Sequence, residues 1–136
     1  MQLLTDKVAI VTGASSGIGR AAAILFARHG AKVIAAARRN RELEEVVETI
    51  AGLGGTARAC AGDVSDEAFA QQLVNTATRA FGGLDVAFNN AGTVGELGPV
   101  PTMELKNWND VVATNLTSAF LGAKYQLPAL AARGRG

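Results

Sequence analysis

The sequence contains a single cysteine, Cys60, so an internal disulfide is excluded and a reducing compartment is expected. A single histidine, His29, and no cysteine pair leave no donor set of the zinc type, and no metal is expected. Aromatic residues make up only 5% of the chain, so its core must be built from Ala, Val, Leu and Ile. Charge of either sign is nearly balanced, at a formal +1, which gives no electrostatic case for a nucleic-acid or membrane partner. No apolar run approaches bilayer length. Asp6 and Lys7 interrupt any apolar leader early, so a cytoplasmic protein is expected.

What remains is 136 residues, 49% hydrophobic and 18% charged, which suits one globular domain. Short apolar runs alternate with longer amphipathic stretches. Lys7–Val11, Lys32–Ala37, Thr56–Ala61 and Leu84–Phe88 read as strands. Ile18–Arg28 reads as a helix closed by a left-handed Gly30. Arg41–Leu53 reads as a second helix, with Leu43, Val46, Val47 and Ile50 on its buried face. Ser65 offers an N-cap to a third, with Asp66 and Glu67 in its first turn and Gly82-Gly83 as its stop. The last helix is expected over Leu105–Ala132, bent or capped near its end by Pro128. The order is βαβαβαβα, which predicts an α/β fold of Rossmann type: a parallel sheet with helices on both faces.

The densest signal is Thr12-Gly13-Ala14-Ser15-Ser16-Gly17-Ile18-Gly19, set between the first strand and the first helix. Glycines let the backbone approach a ligand, and the helix N-terminus holds negative charge, so a pyrophosphate suits this turn. Ala61-Gly62-Asp63-Val64 and Asn89-Asn90-Ala91-Gly92 fall at the ends of the third and fourth strands, where such sheets take ligands.

The spacing Gly13, Gly17, Gly19 departs from the common dinucleotide fingerprint and resembles the T-G-x-x-x-G-x-G motif of the short-chain dehydrogenase/reductase family. Asp63-Val64, Asn89-Asn90-Ala91-Gly92 and Asn115 resemble three further motifs of that family, in order, so the likeness covers nearly the whole chain. The resemblance implies an NAD- or NADP-dependent oxidoreductase acting on an alcohol or carbonyl substrate. It implies that Gly13, Ser15, Ser16, Gly17, Ile18 and Gly19 bind the pyrophosphate and adenosine ribose, and that Asp63 and Val64 contact the adenine. Asn90, Ala91 and Gly92 would line the middle of the cofactor, and Asn115 would belong to the catalytic centre, interrupting its helix. It also implies a homo-oligomer, a dimer or tetramer, with the last helix in the contact.

An acidic residue about twenty positions past the glycine turn selects NAD. Here that stretch reads Ala36-Ala37-Arg38-Arg39. A guanidinium suits a 2′-phosphate, so NADP(H) is favoured over NAD(H), with Arg38 the first candidate and Arg39 the second. The alternative is that both are solvated charges at a helix start.

The family's serine and its Tyr-x-x-x-Lys pair are not found. The one tyrosine, Tyr125, has Ala129 four positions on, and Lys124 lies on the wrong side, so Tyr125 reads as a packing residue. The chain is expected to correspond to residues 1–136 of a cofactor-binding domain without the catalytic and substrate part, ending after four strands. That would leave the fourth strand as an apolar edge and the chain, on its own, inactive and marginally stable. The rival reading is a non-catalytic dinucleotide-binding or interaction module. Cys60 and Trp108 are expected to pack, His29 to sit at a helix end, and Val111, Val112 and Ala119 to form a packing face around a buried Asn115.

Overall fold

The computed structural model describes residues 1–135. Four parallel strands, β1 (Val8–Thr12), β2 (Lys32–Ala37), β3 (Thr56–Ala61) and β4 (Val86–Phe88), form one sheet in the order β3-β2-β1-β4. Between them run α1 (Gly17–Arg28), α2 (Asn40–Gly52) and α3 (Glu67–Phe81), and α4 (Leu105–Val112) and α5 (Ser118–Arg133) follow β4. The register pairs Ile10 with Ile34 and, on the other side, with Ala87.

Alternation along each strand makes two cores. Ala9, Val11, Val33 and Ala35 meet Ala23 and Ala27 of α1 and Leu43, Val46 and Ile50 of α2. Val8, Ile10, Ile34 and Ala36 meet Phe69, Leu73, Val74 and Ala77 of α3, with Tyr125, Ala129 and Leu130 of α5 packed beside them. Residues on β1 and β2 are therefore apolar on both faces, as a doubly covered parallel sheet requires. The buried face of α1 is Gly19, Ala23 and Ala27, small residues that bring its axis close to β1.

Several expectations shift. β4 is three residues long, not five. Leu84 and Asp85 fall outside it because Asp85 turns its side chain onto β1, where Oδ2 accepts the Val8 N–H at 2.9 Å. Asp66, not Ser65, caps α3: its Oδ1 accepts the Ala68 N–H at 3.0 Å. Ser65 lies one residue ahead of the N-cap, and its N–H (2.9 Å) and hydroxyl (2.7 Å) turn back to donate to Asp63 Oδ1. The helix expected over Leu105–Ala132 is interrupted by a wider π-type turn at Ala113–Thr117, which contains Asn115, the residue at which the resemblance implies an interruption. Pro128 does not end α5, which continues to Arg133 and closes on Gly134 at φ +69°. Trp108 is no packing anchor: it is 62% exposed, on a helix that buries none of its residues. Val111 and Val112 are only half-buried and Ala119 is exposed, so they form no core face.

His29 stands at the α1 C-terminus as expected, with its Nδ1 buried and unpartnered among the described residues. Tyr125 packs on α3 as expected, and its hydroxyl also donates to Glu67 Oε1 at 2.8 Å, beside the Lys124 ammonium at 2.5 Å. Both neighbours hold the Glu67 carboxyl below its usual range.

Cys60 packs against α3, and burial pushes its thiol pKa up, against the smaller opposing effects of a Thr76 hydrogen bond and the Arg58 charge. A thiol this protonated and this covered reacts slowly. The native chain is expected to be labelled by a chromogenic disulfide reagent at least about tenfold more slowly than the urea-unfolded chain. Equal rates would mean that β3 and α3 do not meet in solution.

Candidate functional site

The C-terminal ends of all four strands open onto one cleft of about 1140 Å³. β1 and β4 are neighbours, yet β1 leads to α1 on one face and β4 leads towards α5 on the other. That reversal leaves a crevice between the two outgoing connections. Of the residues singled out from the sequence, Gly13, Ser15, Ser16, Gly17, Ile18, Arg38, Arg39, Asp63, Val64, Asn90, Ala91 and Gly92 all line this cleft. Gly19 and Asn115 do not.

The glycines of the turn divide the work. Gly13 has φ +66° and lies so close to the β4 end that a Cβ there would stand 2.9 Å from Asn90 Nδ2. Gly19 is buried behind it, where a Cβ would run into the Gly13 carbonyl. Gly19 therefore lets the helix touch the turn and does not face the cleft. Gly17, at φ +53°, has nothing within 4 Å of its would-be Cβ, so it faces open space. The first bond of α1 runs from Arg20 N–H to the Ser16 carbonyl, at 3.2 Å. The N–H groups ahead of it belong to the unpaired first turn of a helix and look to a ligand or water for acceptors.

The turn is anchored on both sides. Ala14 N–H donates to Ala36 O of β2 at 3.0 Å. On the β4 side, Asn90 Nδ2 donates to Thr12 O at 3.2 Å and Ala91 N–H donates to Thr12 Oγ1 at 3.0 Å. Thr12, the first residue of the glycine motif, is 4% exposed, and its role in tying β1 to the β4 end is one to which the sequence assigns no partner.

Two arginines stand at the β2 end. Arg39 donates to Ser15 Oγ at 3.2 Å and pairs with Glu42 at 3.5 Å. The Arg38 charge reaches Asp63. The Asp63 carboxyl is held below its usual pKa first by the Ser65 N–H and hydroxyl, with Arg38 adding a smaller lowering. This end of the cleft thus carries two cations and one ionised carboxylate.

At the other end the long connection after β4 is clipped to the helices by two asparagines. Asn115 accepts the Thr93 N–H at 2.8 Å and donates to Thr93 O at 2.7 Å. Asn107 does the same for Glu96, at 2.8 and 3.0 Å. Each side-chain amide replaces a missing strand partner. Asn115 is exposed rather than buried, and its partners are these backbone groups instead of core neighbours. It stands beside the cleft, whose wall is made by Ala113 and Thr114. Gly95, at φ +67°, lets the loop lie against Asn107 and Val111. Lys124 and Tyr125 do not line the cleft; they turn to Glu67 instead.

Comparison with known proteins agrees with this geometry. The family model for short chain dehydrogenase matches residues 7–136. A cyclohexanol dehydrogenase of Acinetobacter sp. (strain SE19) is 36% identical over 131 residues, covering 96% of this chain and 52% of that protein. The oxidoreductase YxbG of Bacillus subtilis (strain 168) is 37% identical, covering 98% and 49%. Among solved structures, a 3-ketoacyl-ACP reductase from Sinorhizobium meliloti 1021 superposes with a TM-score of 0.92 at 41% identity, covering 95% of this chain and 51% of that one. A metagenomic short-chain oxidoreductase in complex with NADP superposes equally well, at 0.92 and 37% identity, covering 98% and 60%. The chain spans about half the length of the curated relatives it matches, and with its glycine turn, parallel sheet and motif order it belongs to the short-chain dehydrogenase family.

Proposed function

We propose that residues 1–136 are the dinucleotide-binding domain of an oxidoreductase that works with NADP(H) in preference to NAD(H), on a small alcohol or carbonyl compound. The carrying observation is the open first turn of α1 facing a cleft with Arg38 and Arg39 at one end and Asn90–Gly92 at the other. Ser16, Gly17 and Ile18 would hold the pyrophosphate through the N–H groups of that turn. Asp63 and Val64 would flank the adenine. Arg38, unlike Arg39, is not tied to Ser15 and Glu42, which leaves it the better placed of the two to take a 2′-phosphate bidentately. Asn90, Ala91 and Gly92 would line the middle of the cofactor.

When bound, the nicotinamide supplies or accepts the hydride. Asn115 would serve the catalytic centre through the turn it occupies and the Thr93 backbone it fixes. The resemblance assigns proton transfer to the substrate oxygen to a tyrosine, and the one tyrosine of this chain is turned to Glu67 and does not line the cleft. The isolated chain is therefore proposed to bind without turning over. A cytoplasmic location and a dimer or tetramer are proposed with it. The exposed Leu116, Phe120 and Leu127 of the last helical stretch are the apolar surface for such a contact.

Equilibrium titration by cofactor fluorescence tests the reading. NADPH is expected to bind at least about tenfold more tightly than NADH, and Arg38→Asp to reverse that order by removing the fork and adding a repelling carboxylate. A ketone panel with NADPH is expected to give no protein-dependent oxidation. A folded sample that takes up neither nucleotide would overturn the proposal.

A further inference from the structure

We infer that Gln126 is a positioning residue for the nucleotide site, acting through Asn89 to set where Asn90–Gly92 stand on the cleft wall; this rests on the dinucleotide reading above. Gln126 lies on α5 and is only 5% exposed. Its carboxamide is satisfied by a single partner in both directions. Asn89 Nδ2 donates to Gln126 Oε1 at 2.8 Å, and Gln126 Nε2 donates to Asn89 Oδ1 at 2.8 Å.

The space for this pair is made by Gly122, one turn earlier on α5. A Cβ there would stand 2.9 Å from Asn89 Oδ1 and 3.1 Å from Gln126 Nε2. The buried Gln126 amide is costly unless both its ends are bonded, so it holds the Asn89 carboxamide, itself exposed, in one orientation.

What that geometry holds is the start of the cleft wall. β4 is an edge strand of three half-buried residues, and Asn89 is the first residue beyond it. The next two residues reach the opposite way, to Thr12 at the end of β1. The segment is thus stretched between β1 on one side and α5 on the other. With the α5 tie cut, the segment keeps its Thr12 bonds and the Asn115 clip on Thr93 beyond it, but its start at Asn89 is loose, and a segment leaving so short a strand would drift. The arginine end would not feel the loss, because it is held by Ser15 and Glu42, and the β2 side of the glycine turn keeps its bond to Ala36; only the turn's β4 side, which rests on Asn90 and Ala91, would follow the segment.

This asymmetry makes the inference testable. Gln126→Met keeps the side-chain volume and deletes the hydrogen bonds. Two probes are titrated: NADPH, which spans the cleft, and 2′,5′-ADP, which carries only the adenosine end. Gln126→Met is expected to weaken NADPH about tenfold and 2′,5′-ADP by less than about twofold. A purely structural role would leave the folded population's two affinities unchanged or weaken them alike, and either result overturns the inference.

Gly122→Ala supplies the second variant. It favours the helix, yet pushes on the amide pair, so it is expected to show the same split in affinity without a loss of stability. If it shows no split, the inference falls.

Hydrogen exchange of the nucleotide-free chain separates this inference from the reading beneath it. The Ala91 N–H is expected to exchange about tenfold faster in Gln126→Met, with the Ile10 N–H unchanged. Unchanged exchange at Ala91 overturns the positioning role even if NADPH binds. Absence of nucleotide binding by the parent chain, with Ala91 exchange still accelerated, overturns the dinucleotide reading and leaves the placement of the segment established.

Discussion

Gly19→Ala is expected to abolish nucleotide binding and to remove about 3 kcal/mol of stability, the upper range for overpacking a rigid contact. The new methyl would be driven into the Gly13 carbonyl and would stand 2.7 Å from Asn90 Nδ2. Backbone, not a flexible side-chain end, blocks it, so α1 must retreat from β1 and carry the glycine turn with it. Gly17→Ala is the contrast. Its methyl meets nothing, so the expected penalty is only the left-handed strain of about 1–2 kcal/mol. Yet that methyl projects into the space where a phosphate would lie, so affinity for NADPH is expected to fall at least about tenfold. Urea midpoints and titrations on both variants check this. A Gly19→Ala chain with unchanged midpoint and affinity would mean that the helix does not rest on the turn.

Asp85→Ala is expected to destabilise the chain by about 3–5 kcal/mol, the range for breaking a buried pair by deleting one partner. The Asp85 side chain is fully covered. Its oxygens accept the Val8 N–H at 2.9 Å, Arg133 Nε at 3.1 Å and Arg135 Nε at 3.2 Å, and Lys7 Nζ stands at 3.8 Å. Removal leaves a buried backbone donor of β1 without a partner and frees Arg133 from the sheet edge. Burial alone would raise the Asp85 pKa; the Val8 hydrogen bond and the Arg133 and Arg135 interactions outweigh it and hold the carboxyl below its usual value. A depressed folded-state pKa contributes stability above the unfolded value of about 3.9, and that contribution is lost as pH falls through the folded value. Asp63 and Glu67, also depressed, act in the same direction from exposed positions, where such pairs contribute little. Asp85→Asn should therefore flatten the acid limb of a stability–pH curve without changing its shape near neutrality. An acid limb identical to the parent's would show that Asp85 is not ionised in the folded chain.

The architecture was legible because strand and helix patterns alternate cleanly and because the strands of a doubly covered sheet are apolar without interruption. Val33–Ala37 and the seam Leu43, Val46, Ile50 could hardly be read otherwise. The cleft was legible because its residues cluster just after strands, where glycine and asparagine are conspicuous. What escaped reading were roles set by contacts distant in sequence. Trp108 looked like an anchor from composition, but no element among the described residues covers its face. Ser65 reads as a cap, but the helix starts one residue later, on Asp66, and Ser65 turns back onto the Asp63 side chain instead. Asn107 and Gln126 carry no local signal at all, and Thr12, though it opens the glycine motif, gives no sign of its partners Asn90 and Ala91: each matters through a residue elsewhere in the chain. The π-type turn around Asn115 is invisible to helical periodicity, which runs through it without a break; only the family resemblance points to an interruption there.

The placement of β4 beside β1 has a consequence for how the cleft comes into being. β1, β2 and β3 pair with their neighbours in succession, across one intervening helix each. The Ala9–Val86 pairing instead closes a loop that encloses β2, β3 and all three intervening helices. Closing the larger loop costs more chain entropy. The three-stranded sheet can thus exist before β4 arrives, but the cleft is complete only once it does, so a nucleotide bound there as proposed would act as a latch on the most remote contact in the fold and resist its release first.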